Sequence, residues 1–140
     1  MEAARGDYLR HTVDMSIRSR FQPELDEFID NLNTYATGSY LREDERELWD
    51  EPFDPAAVPQ VAEVLTNYLD ALDKLGESGT EETVLAVMDS FTEKLNEVNA
   101  RFEDAVIDDD ERADIVALMT SAAHAAGLSS EHTDLKNREF

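Results

Sequence analysis

The sequence predicts an all-α fold: a helical bundle of about five helices plus a short one, with an antiparallel up-down core. Three observations carry that expectation. Between Thr80 and Ala105, apolar residues fall at Val84, Met88, Phe91, Leu95, Val98, Phe102 and Ala105, in steps of four and three. A helix gathers such a repeat into one seam, with Glu81, Glu82, Asp89, Glu93, Lys94, Glu97 and Arg101 off it, and so regular a seam needs a partner surface. Two further stretches, around Leu25 and around Leu65, repeat with helical spacing. Finally, nothing alternates as a half-buried strand would, and there is no internal repeat or low-complexity tract.

In chain order, Tyr8, Leu9, Val13 and Ile17 predict a first helix over 7–20, with Asp7 as its cap. Its Arg-rich opposite face makes residues 1–22 a candidate mobile basic arm, or a helix lying against an acidic body. A second helix starts near Pro23, which suits a first turn, and Glu24, Asp26 and Glu27 complement a helix N-terminus. Leu25, Phe28, Ile29, Leu32 and Ala36 line its inner face, and Gly38 is a natural stop. Leu41, Leu48 and Trp49, set among the charges of Arg42 to Glu47, predict a short surface helix pinned by the tryptophan.

Two prolines in Asp50 to Pro55 break the pattern. Val58, Val61, Ala62, Leu65, Leu69, Leu72 and Leu75 then mark a third major helix, with Pro59 in its first turn and Gly76 as its stop. Glu77-Ser78-Gly79 is short enough to make the next helix, capped by Thr80, an antiparallel neighbour. A last helix over 109–126 turns Ile115, Leu118, Met119, Ala122 and Ala126 inward, and Gly127-Leu128 reads as a Schellman stop. Residues 129–140 are polar and are expected to fray unless Leu135 and Phe140 dock. The whole of 1–140 is expected to be one α-helical domain.

Charge is the outlying property: 33 acidic against 12 basic residues, a net of −21. Such a balance argues against direct nucleic-acid binding, because no basic footprint offsets the repulsion. It fits either a solubilising surface or one shaped for a basic partner. The chain has no cysteine, which removes disulfides, thiol nucleophiles and thiolate metal sites. With no apolar signal region and no run near the ~18 residues of a membrane span, the expectation is a soluble, cytoplasmic protein with no membrane contact.

Catalytic constellations are poorly represented. His11, His124 and His132 lie far apart and in no metal-ligand spacing. His124 sits near a helix C-terminus, where a cation is favoured. The Asp108-Asp109-Asp110 run fails the calcium-loop test: its acids are adjacent, no glycine stands sixth, and Met119 is twelfth. It reads instead as a helix cap. No cofactor or metal is expected. Glu43/Glu47 and Glu93/Glu97 pair at i, i+4 and, with Asp108, Asp109 and Asp110, form the candidate interaction surface.

From Pro55 onward the chain resembles an uncharacterised family of small bacterial helical proteins, a domain of unknown function. The matching features are Pro55 opening a long helix, then Thr92-Glu93-Lys94-Leu95-Asn96 and Phe102-Glu103. Arg112, Ile115, the alanine-rich helix ending at Gly127 and the Arg138-Glu139-Phe140 terminus follow. The resemblance implies a helical fold and supplies no activity. If Asn96 matches that family, a buried hydrogen bond fixing helix register is the expected role.

These readings point to a non-enzymatic protein acting through protein–protein contact or regulation, with a basic partner or a second copy as candidates. One alternative is an acidic, nucleic-acid-mimicking or immunity-type inhibitor of a basic DNA- or RNA-acting protein. Another is a small enzyme whose site the sequence does not reveal.

Overall fold

The structure, a computed structural model, describes residues 16–76, 79–129, 135 and 137–140, and among them are five helices and no strand. They are α1 (Ile17–Thr37), the short α2 (Glu43–Arg46), α3 (Ala57–Leu75), α4 (Glu81–Arg101) and α5 (Asp109–Ala125). Four long helices run alternately up and down, as expected. The start of α1 meets the end of α3 through Arg18 and Asp70. The end of α4 meets the start of α3 through Arg101 and Gln60. α1 also packs against α5, which closes the ring.

The hub is α3. It touches α1, α4 and α5, and buries Val61, Leu65, Tyr68, Leu69 and Leu72 completely or nearly so. Each such aliphatic side chain contributes roughly 1.5–3 kcal/mol on leaving water. The α4 seam fills against it: Val84, Met88, Leu95 and Val98 are buried, and Phe91 meets the Tyr68 ring edge-on at 5.7 Å. That seam is therefore satisfied within the chain.

Three expectations need correction. Most of the 7–20 helix lies outside the described residues, but 17–20 do not end before Pro23; they run into it as one helix. Pro23 leaves the Ser19 carbonyl without its helical donor, and the exposure of Ser19 lets water serve it. The helix starts early because Ser16 caps it and the Asp73 carboxylate accepts the N–H of Ile17 at 2.7 Å and of Arg18 at 3.0 Å. Residues 17–22 are thus part of the bundle rather than an arm.

Second, α4 ends at Arg101, short of Ala105. Glu103 and Asp104 take left-handed φ of 63° and 59°, and the Asn99 Oδ1 accepts the N–H of Val106 (3.1 Å) and Ile107 (3.0 Å). Third, within the expected frayed tail, Leu135 is buried and Phe140 packs on the core.

Other stops and caps fall where the sequence places them. Thr80 caps α4, with its Oγ1 accepting from the Thr83 N–H. Gly127 and Leu128 close α5, the Leu128 N–H reaching the Ala123 carbonyl at 3.0 Å. Gly38 ends α1 at φ +69°, and the Trp49 ring lies 3.0 Å from where a Cβ would stand. Trp49 is half-buried, holding the α2 segment down as expected.

Candidate functional site

α1 is amphipathic with charge at both margins of its buried face. Leu25, Phe28, Leu32 and Ala36 point inward, while Glu24, Asp26, Glu27 and Asp30 stay exposed. Because i, i+3 and i+4 positions share a face, Glu24, Glu27, Phe28 and Asn31 border α5, and Leu25, Asp26, Ile29, Asp30 and Asn33 border α3.

Two grooves result. The one between α1 and α5, about 210 Å³, has a floor of Phe28, Ala117 and Leu118 under the carboxylates of Glu24, Glu27 and Asp114. Asp110 lies one turn before Asp114 on the same α5 stripe, which extends the acidic rim toward that end of the bundle. The α1–α3 groove, about 310 Å³, has Leu25, Ile29, Val58 and Ala62 beneath Asp26 and Asp30. Among the described residues, no Lys, Arg or His lines either. A third groove, between α3 and α4, differs in that Lys94 and Arg101 stand among Glu63 and Glu97.

The residues chosen from sequence do not form one surface. Glu43 opens α2 and Glu47 closes it, in an exposed connector that also leaves Leu48 93% exposed. Asp108, Asp109 and Asp110 stand at the start of α5, at the same end of the bundle, and act there as a cap. The Asp108 Oδ1 accepts the Asp109 N–H, and the Glu111 Oε1 accepts the Asp108 N–H. Glu93 and Glu97 lie on the side of α4: Glu93 accepts a hydrogen bond from Asn137, and Glu97 borders the α3–α4 groove. Of the chosen seven, Asp110 alone continues the α1–α5 rim.

Chemistry of the catalytic kind has little to stand on among the described residues. No three His, Asp or Glu side chains gather as a metal site there. His124, near the end of α5, borders none of these three grooves, and His11 and His132 lie outside the described residues. Burial pushes the Tyr68 hydroxyl well above the ordinary tyrosine range, but that group is spent on a core hydrogen bond. Among the described residues no helix is long and apolar enough to cross a membrane.

Sequence reasoning missed the acids of this site for an identifiable reason. In the sequence Glu24, Asp26 and Glu27 read as acids complementing a helix N-terminus, whereas α1 begins at Ile17 and places them beyond its first turn. Asp114 joins them only through tertiary packing. No family model, no curated protein and no solved structure matches this chain.

Proposed function

We propose that this is a non-enzymatic, cytoplasmic binding protein whose α1 grooves take basic side chains of a protein partner. The α1–α5 groove carries the reading: an apolar floor under three carboxylates, with no cation lining it among the described residues. Lysine and arginine have that two-part character, an alkyl stem and a charged head. At about 210 Å³ the groove is smaller than the ~300–1,000 Å³ pockets that take drug-sized ligands or cofactors. It suits one inserted side chain.

A net charge of −21 supports the same partner by speeding the encounter and disfavouring acidic competitors. The acidic strip of Glu24, Glu27, Asp110 and Asp114 also favours the narrower reading of a decoy for a nucleic-acid-acting protein. Calorimetric titration with an amphipathic lysine–leucine peptide tests the general claim. Binding at ~0.1 M salt should weaken strongly at ~1 M, where the screening length falls from about 10 to 3 Å. Absence of binding at the lower salt would sink it.

A further inference from the structure

The α4 edge around Asn96 holds residues of the 135–140 segment in a manner that reads main chain. Asn96 Nδ2 donates to the Asn137 carbonyl at 2.9 Å, and Asn96 Oδ1 accepts the Glu139 N–H at 2.9 Å. One amide thus pairs with the C=O of one residue and the N–H two positions on, as a neighbouring strand would. Such pairing is indifferent to the side chains it reads. Leu135 is buried in the core as the apolar anchor, and Phe140 packs on the core.

The side-chain subsite is selective, and its present occupant fits it badly. Asn137 Nδ2 donates to the Asp89 carbonyl at 2.9 Å and to Glu93 Oε1 at 3.0 Å, both acceptors. Its own Oδ1 is buried with no hydrogen-bond partner among the described residues. A buried acceptor without a donor costs binding free energy. A lysine ammonium offers donors and no acceptor, and would also pair with the Glu93 charge.

We propose that this edge of α4 is a seat for an extended basic segment of a partner protein, with a lysine two residues after an apolar anchor, and that Leu135 and residues 137–140 fill it until that segment arrives. The site is separate from the α1 grooves and does not depend on them. The tether gives the resident segment a local concentration in the mM range for a short linker, so an outside segment must be the better ligand to displace it. The orphaned Asn137 oxygen supplies that margin.

The test uses the full chain and two hexapeptides: Leu-Lys-Asn-Arg-Glu-Phe, and the same peptide with lysine in place of asparagine. A Leu135→Asp variant disfavours the resident segment by placing a charge in its buried anchor position. Fluorescence anisotropy should show the lysine peptide binding Leu135→Asp at least tenfold more tightly than the unaltered chain, and about tenfold more tightly than the asparagine peptide. Adding Asn96→Leu should abolish this binding. Equal binding of the two peptides, indifference to Asn96, or no binding would overturn the proposal.

A second measurement needs no variant. Millimolar lysine peptide should accelerate hydrogen exchange of the Glu139 amide in the unaltered chain, and an unchanged rate would likewise overturn it. Retention of the effect in a Glu24→Gln, Glu27→Gln, Asp114→Asn chain keeps this result distinct from the α1 grooves.

Discussion

The Tyr68 hydroxyl donates to the main-chain carbonyl of Met119 at 2.7 Å, tying α3 to α5 inside the core. Tyr68 is fully buried, and burial alone raises its pKa, because the phenolate would have to form without water. The folded value lies above the unfolded one, so stability is unaffected below about pH 10, the ordinary tyrosine value. Above it the unfolded chain releases a proton the folded chain keeps, and stability should fall by up to about 1.4 kcal/mol per pH unit. Tyr68→Phe should cost about 1 kcal/mol at pH 7 and flatten the alkaline limb. Urea titrations between pH 8 and about 11 measure both; limbs of equal slope would contradict the assignment.

Asn99 holds the α4–α5 connection by accepting the N–H groups of Val106 and Ile107, both buried. Asn99→Ala strands those donors and should cost about 2–4 kcal/mol. Asn99→Asp keeps an acceptor in place and should recover most of that loss. Equal destabilisation by the two substitutions, read from urea midpoints, would count against the hydrogen bonds as the cause.

The same connection contains strain that can be relieved. Glu103 and Asp104 sit at positive φ, a region costing an L-residue roughly 1–2 kcal/mol. Glu103→Gly removes that cost but adds unfolded-state entropy, for a net gain of about 0.5–1 kcal/mol. Thermal unfolding should show a higher midpoint, and a lower one would argue against the left-handed turn.

Glu111 is half-buried at the start of α5. Burial pushes its carboxyl above the usual range and the charges of Asp108 and Asp110 add to this, while the Asp108 N–H works in the opposite direction. Its folded pKa therefore exceeds the unfolded one, so stability falls as pH rises from the ordinary glutamate value through the raised one. Glu111→Gln keeps an oxygen for the Asp108 N–H and should stabilise at pH 7 by a few tenths of a kcal/mol, since solvent screens much of the repulsion. The advantage should vanish below about pH 4. A variant less stable at pH 7 would reverse the sign of this argument.

Much of the fold is legible because helix signals are local. Thr80, Gly38, Gly76 and Gly127 stop or start helices where their own chemistry requires, and the α4 seam buries four of its seven residues. What escaped was long-range. Asp73 caps α1 from 55 and 56 residues away, which moves the helix start back past Pro23. Asn96 and Asn99 look like polar neighbours of an apolar seam, yet each is buried because a turn, or residues 137–139, brings backbone groups to it. Asn96 fastens that segment rather than fixing helix register. The candidate site was less legible still, since a groove needs both walls and Asp114 is remote in sequence from Glu24.

The central claim is that basic side chains enter the α1–α5 groove, and NMR titration with the lysine–leucine peptide measures this directly. Amide shifts should concentrate at Glu24, Glu27, Phe28, Asn31, Asp114 and Leu118. Glu24→Gln, Glu27→Gln, Asp114→Asn combined should weaken binding at least tenfold while leaving the spectrum of the bundle intact. Shifts spread evenly over the surface, or centred on Glu43, Glu47 and Leu48 and indifferent to the triple substitution, would contradict it.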